Sequence, residues 1–489
     1  MICKWGGAVK SQSFLRAWAF SALGLVLVAC DKPHDTHSVE PQKINASVPL
    51  SFASVKFETD VPQLQERMLR PEFWQRRLSS DAARLRAEEI QTLNAKSLGS
   101  DPFLNNLDQF PSDVSGDRVI DMINQVSRPA SSPRYRVDGS LFTERDYAQL
   151  DAAVQRSAVP EQVKVRWGVV VERASMRSYP TDTRVLKNAG DMDLDRFQET
   201  GVFPGQRLAI LHESADGEWW FAVNYHYAAW LPKRAVAIGE RGAIDRWHRQ
   251  SPRLTVTGAQ VRTNYNPVDP RTSEVVLDMG VSLPLLSAAD VGHNVNGQNP
   301  HASYIVALPV RDAQGALAFE PTLIGRAQDV TPGLLEYRPS LVLQQAFKFL
   351  GERYGWGHDY NGRDCTGFVG EVYKSFGILM PRNSGQQGKS DFAPTKRFGP
   401  EDHAARAEAI AALRVGDLIY IPGHVMMYIG QVDGEPYVIH DVTGLSYYQT
   451  DESMYRGTLS GVSITPLSPM RLSEEKSYID GIYAIKTII

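Results

Sequence analysis

A single cysteine and two downstream histidines carry the residue types that acyl transfer needs. Cys365 follows the Gly- and polar-rich run Tyr354-Gly355-Trp356-Gly357-His358-Asp359-Tyr360-Asn361-Gly362-Arg363-Asp364 and precedes Phe368, Val369, Val372, Tyr373 and Phe376, which recur at helical spacing. That spacing predicts a helix from Cys365 to about Phe376 with the thiol at its first turn. There, unpaired N–H groups and the positive end of the macrodipole favour a thiolate. The stretch from Leu418 to Gly430 reads as strand, turn, strand, with His424 opening the second strand after Pro422-Gly423. Alternation sets His424, Met426 and Tyr428 on one face. His440 ends the next strand, Tyr437-Val438-Ile439-His440, where it can orient the first imidazole. Nucleophile, base and orienting group then stand in the usual relation.

Each residue also has a bland reading, since a lone cysteine before an apolar helix is commonly packing and a strand histidine a satisfied polar group. Cysteine usage shifts the balance. The chain has three cysteines. Lys4, Lys10 and Arg16 precede an apolar run from Ala17 to Ala29, a signal-peptide pattern too short to favour a membrane span. The run ends in Leu27-Val28-Ala29-Cys30, which resembles a bacterial lipoprotein cleavage site, with an ordinary secretory signal as the alternative. Cys30 is therefore the candidate for lipidation, and acyl chains there would anchor the chain to a membrane. Cys3 would leave with the signal, so Cys365 would be the one free thiol in an oxidising compartment, which calls for a chemical reason.

Stepping outward, the elements that position these residues fall into segments. Residues 1–30 read as a lipoprotein signal peptide and 31–58 as a polar tether. Residues 59–161 read as a mostly helical domain. Residues 162–243 break into short alternating strands, an SH3-like barrel, with Asp216-Gly217-Glu218-Trp219-Trp220-Phe221 and Ala229-Trp230-Leu231-Pro232 resembling the closing strands of bacterial SH3 domains. Residues 244–337 read as a second, more divergent SH3-like barrel, with one larger sandwich as the alternative. Residues 338–489 begin with helices, through Leu341, Leu343, Phe347 and Leu350 and then from Cys365, and continue with strands at Asp417–Ile421, His424–Gly430 and Tyr437–Asp441. Helices first and an antiparallel sheet afterwards make this an α+β domain.

The stretch from Leu343 to Asp441 resembles the NlpC/P60 family of bacterial cell-wall peptidases. The matching motifs are Tyr354-Gly355-Trp356-Gly357, Asp364-Cys365-Thr366-Gly367-Phe368-Val369, Pro381-Arg382-Asn383-Ser384 with Gln387, Val415-Gly416-Asp417-Leu418, Gly423-His424-Val425 with Tyr428-Ile429-Gly430, and Val438-Ile439-His440, in the family's order. The resemblance implies a papain-like α+β fold and a Cys-His-His triad of Cys365 as nucleophile, His424 as base and then acid, and His440 as orienting residue. It implies an oxyanion contact from Tyr354, and contacts to a substrate's free N-terminal amine from Asp364, Thr366 and Ser384. Asp364 has a plain helix N-cap role as its competing reading. His358, where the family more often has Gly, reads as a loop residue. The first SH3-like domain is expected to wall off the cleft, with Tyr179, Tyr225 and Tyr227 as candidates for a contributed hydroxyl.

The implied activity is hydrolysis of peptidoglycan stem peptides at the γ-D-Glu to diaminopimelate (or Lys) bond, on muropeptides with free N-terminal L-Ala. No cofactor and no metal are expected. The implied localisation is a lipid-anchored protein facing the periplasm. A net charge of −4 gives no footprint for a nucleic-acid partner, and a monomer is expected. Rival readings are a non-catalytic SH3 scaffold binding cell wall, a zinc site from Cys365, His424 and His440, and an amidase or acyltransferase with the same triad. Retention of all three residues speaks against the scaffold, and the absence of close ligand spacing against zinc.

Overall fold

In the computed structural model, residues 56–488 are described, and the apolar run 17–29 and Cys30 lie outside them. The C-terminal part folds as helices laid on a six-stranded antiparallel sheet. The strand order across it is Thr395–Arg397, Ala484–Lys486, Leu418–Ile421, His424–Val432, Glu435–Tyr448 and Met454–Pro466. A tight turn pairs Ile421 with His424, and Gly423 takes a φ of 77° there, a conformation that Gly adopts without a Cβ penalty.

Helices Pro339–Phe347 and Cys365–Lys374 cover one face, burying Val342, Ala346, Phe368, Val369 and Val372 against Val425, Met427, Ile439 and Ile464. The opposite face buries Ile419, Met426 and Val438 against Leu467, Tyr478 and Ile482. With both faces covered, the central strands are apolar almost continuously, as in Leu418-Ile419-Tyr420-Ile421. The first helix begins at Pro339, where Pro occupies the first position and the missing N–H costs nothing.

Upstream, Arg166–Val170, Ala174–Arg177, Gln198–Val202, Arg207–Glu213, Trp219–Val223, Ala228–Pro232 and Val236–Ile238 form one seven-stranded antiparallel sheet. Its ladder does not close into a barrel; Gln198–Val202 and Val236–Ile238 are its edges. Residues 253–332 add a five-stranded sheet and the two-stranded ladder Gln260–Arg262 with Val276–Asp278. The two β regions share one continuous core through Trp167, Phe221, Trp230, Trp247, Leu254 and Leu283.

The segment 59–161 is mostly helical and builds no core by itself. Met68, Phe73, Trp74 and Ile90 join the core of the α+β domain, whereas Leu107, Phe110, Val119, Ile123 and Val154 join that of the β regions. Its short helices are too small to bury their apolar faces on one another and use larger neighbours instead. Among the described residues, no helix is long and apolar enough to cross a membrane.

Candidate active site

Helix Cys365–Lys374 starts at Cys365 because Asp364 caps it, accepting from the Gly367 backbone N–H at 2.8 Å. The thiol lies 6% exposed against the strand that His424 opens, and accepts from the backbone N–H of Val425, the next residue. His424 Nε2 is 2.8 Å from His440 Nδ1, and His440 Nε2 is 3.0 Å from Thr465 Oγ1. This chain of contacts has a base-competent tautomer. If His440 Nε2–H donates to Thr465, His440 Nδ1 accepts from His424 Nε2–H, and His424 Nδ1 keeps a lone pair for a proton. Thr465 is the terminal member of that relay, and no sequence motif marked it. It comes from the neighbouring strand Met454–Pro466.

The expected thiolate at the helix start does not form at rest. Burial pushes the Cys365 thiol up to about 12, the Asp364 carboxylate adds to this, and the Val425 N–H opposes it. Desolvation is the largest cause, and the capping carboxylate of Asp364 itself occupies the positive end of the helix. Burial likewise lowers His424 to about 4. The resting pair is therefore neutral thiol and neutral imidazole, so proton transfer must accompany attack. Tyr354 is 9% exposed, and its hydroxyl is held protonated chiefly by burial, with the Asp364 carboxylate acting in the same direction.

Asp364 and Thr366 are committed to an internal network. Arg382 donates to both Asp364 oxygens, at 3.1 and 2.8 Å, and to Thr366 Oγ1 at 2.6 Å. The second Asp364 oxygen also accepts from Gly357 N–H at 3.0 Å. Against burial, Arg382 holds the carboxyl well below the usual carboxylate range. Removing Arg382 would leave a buried unpaired anion, a loss of about 3–5 kcal/mol. Ser384 begins the short helix Ser384–Lys389, half-buried, and its hydroxyl has no protein partner among the described residues. It is not drawn into this network.

Of the three tyrosines considered, Tyr227 reaches the site. Its hydroxyl donates to Glu199, which also accepts from Ser178, and the Asn383 side chain lies within hydrogen-bonding range of it. Tyr179 is fully buried against Tyr147 and Phe197, and Tyr225 stacks on His226. Glu199 itself was not singled out by any motif. Burial raises its pKa, while Ser178, Tyr227 and the positive charges of Arg382 and Arg177 oppose that rise.

His358 is far from a plain loop residue. It is 5% exposed with a φ of 68°, its Nε2 lies 3.1 Å from Glu371, and its Nδ1 accepts from Gly201 N–H at 3.2 Å. The Gly201 contact makes Nε2 the protonated nitrogen, a donor to Glu371, and joins the catalytic helix to the edge strand of the seven-stranded sheet. The same strand holds the loop twice more, through Trp356 Nε1 to the Gln198 carbonyl at 3.1 Å and Gln198 Nε2 to the Gly357 carbonyl at 2.7 Å. Arg184 donates to Asp359 and Tyr360, and Arg173 to Asn361 and the Gly362 carbonyl. His358, Tyr360 and Asn361 all have positive φ, strain that persists because these contacts over-determine the loop.

Two residues on, Arg363 is fully buried among Glu352, Glu371 and Asp278. Asp441, beside His440, has both carboxylate oxygens buried without a partner, and burial pushes it up to about 9, so it is neutral. Among the described residues, no group of three or more His, Cys, Asp or Glu side chains is arranged to hold a metal ion.

A cysteine at a helix start, packed against a strand that opens with a histidine backed by a second histidine, defines a papain-like cysteine-peptidase domain. Residues 351–463 match the NlpC/P60 family and residues 184–232 match an SH3 domain of the SH3b1 type, so the chain carries an NlpC/P60 domain downstream of an SH3 domain. It is 27% identical over 252 residues to a gamma-D-glutamyl-L-lysine dipeptidyl-peptidase of Bacillus cereus, a match covering 47% of this chain and 65% of that relative. An NlpC/P60 endopeptidase from Photobacterium damselae subsp. piscicida shares the fold at 16% identity, with a TM-score of 0.66 over 83% of this chain and 94% of the other.

Proposed function

We propose that the protein hydrolyses peptidoglycan stem peptides at the γ-D-glutamyl bond to the third residue, acting on fragments with a free N-terminal L-Ala. Cys365 is the nucleophile, His424 the base and then the acid, and His440 the orienting group, with Thr465 fixing its tautomer. Attack transfers the thiol proton to His424 as the C–S bond forms, and His424 then protonates the leaving amine. Water, deprotonated by His424, cleaves the thioester. Tyr354 is suited to donate to the tetrahedral oxyanion.

The observation that carries the substrate reading is the pair of carboxylates beside Arg382. Asp364 is saturated by Arg382 and two backbone amides. Glu199 is bonded only to hydroxyls, so a substrate ammonium gains most from Glu199 and Tyr227 of the SH3 domain. An N-acylated or glycan-linked stem lacks that charge and meets the SH3 wall. The Bacillus cereus relative is named for action on a γ-D-glutamyl-L-lysine bond, which supports the same bond class.

The test offers L-Ala-γ-D-Glu-diaminopimelate with and without an acetylated amine, followed by mass spectrometry. We expect cleavage of the free amine alone, no turnover by Cys365→Ala, and a rise in KM of about tenfold or more for Glu199→Gln. Equal turnover of both peptides would remove the amine-recognition role. We further propose export and lipidation at Cys30, which the sequence of residues 17–30 supports.

A further inference from the structure

Behind the loop that leads to Cys365 lies a second concavity, on the side facing the two β regions. It has a volume of about 570 Å³ and is lined by Arg173, Arg234, Arg262, Arg271 and Arg311 with a single acid, Glu172; Asn361 of the catalytic loop closes it. Five guanidinium groups against one carboxylate reverse the sign of a chain whose net charge is −4.

Three of the five have acidic neighbours. Arg271 is held by Asp269 at 2.6 Å and by Glu320 at 3.4 Å, Arg234 faces Glu172 at 3.5 Å, and Arg173 lies 3.5 Å from Asp278. Asp278 is shared with the buried Arg363, however, and Arg173 Nε is buried without a hydrogen-bond partner. Arg262 and Arg311 have no carboxylate within 4.0 Å among the described residues. Each donates only to a backbone carbonyl, of Glu274 at 3.3 Å and of Val236 at 3.2 Å. Guanidinium forks without a counter-charge, here those of Arg262 and Arg311, repel one another and match oxyanions bidentately. The volume falls within the range of roughly 300–1,000 Å³ typical of small-molecule sites, more than one lone phosphate needs.

We propose that this cavity binds a multivalent oxyanion, a ligand carrying two or more phosphate or carboxylate groups, at a site separate from the catalytic cleft. Arg173 donates to Asn361 at 2.7 Å and to the Gly362 carbonyl at 3.1 Å, so the occupied site touches the segment just before the nucleophile. Isothermal titration of the full chain with pyrophosphate and, separately, with citrate, at about physiological ionic strength, tests this. We expect one saturable site for at least one of the two, weakened by about tenfold or more in Arg262→Gln/Arg311→Gln. Binding of pyrophosphate alone identifies a phosphate-bearing ligand, and binding of citrate alone a polycarboxylate. The exposed Arg262→Gln single variant gives the same reading, a weaker one, should the double variant fail to fold. Absence of saturable binding by either anion, or affinities unchanged in the variants, overturns the proposal.

Discussion

Uncharged at rest, the buried Cys365 and the half-buried His424 set the pH behaviour of the enzyme. His424 must be neutral to accept the thiol proton, and burial lowers it to about 4 from an ordinary 6.5, so the base form persists well into acid. The thiol, raised to about 12 from an ordinary 9.0, has no ionisation of its own at neutral pH. The profile of kcat/KM should therefore fall only as pH drops toward about 4, with no alkaline rise near the ordinary thiol value. An acid limb at the ordinary histidine value would contradict the neutral pair. The motifs around Cys365, His424 and His440 announced the residue types, because chemistry needs those atoms. Their protonation was hidden, since it depends chiefly on how deeply the fold buries each group. Thr465 and Glu199 were illegible for a similar reason: a hydroxyl or carboxylate acquires a role only from what the fold sets beside it.

At the scale of elements, the edge strand Gln198–Val202 and two arginines hold the catalytic loop in its left-handed course. A Cβ at Gly201 would lie 2.9 Å from His358 Cβ, which shows how closely strand and loop approach. Changing Arg173 and Arg184 together to Ala should free the loop at Asp359, Tyr360, Asn361 and Gly362, and kcat should drop by about tenfold or more while far-UV circular dichroism stays unchanged. Full activity in that variant would show that the strained loop is held by its own sequence. Periodicity did predict the Cys365 helix and the strand from His424, because one apolar face of each is set by local spacing. It did not reveal the loop's clamp, whose partners lie more than 150 residues upstream. His358 in particular looked like any polar loop residue, and its burial follows only from the arrival of the SH3 edge strand.

For the whole molecule, the segments read from composition were an ordered series of separate bodies, whereas the structure joins them through shared cores. Residues 59–161 divide between two cores because their helices are short, a fact that depends on tertiary partners rather than on local pattern. The SH3-like reading from strand and turn spacing is matched by the SH3 domain family over residues 184–232, while the edges of the ladder, Gln198–Val202 and Val236–Ile238, depend on the tertiary fold rather than on spacing. Membrane attachment belongs to this scale as well. Labelling with radioactive palmitate should tag the wild-type chain in bacterial cells and not Cys30→Ala, and the variant should appear in the soluble fraction; equal labelling would remove the anchor. Arg363 has a wider implication. One guanidinium, wholly shut off from water, balances acids from the peptidase domain and from the β region at once, so neither half carries its own neutrality. A chimera that grafts this peptidase onto a foreign scaffold would inherit stranded negative charge beside its nucleophile, and the reaction centre would have to be rebuilt together with its docking partner rather than moved as a cassette.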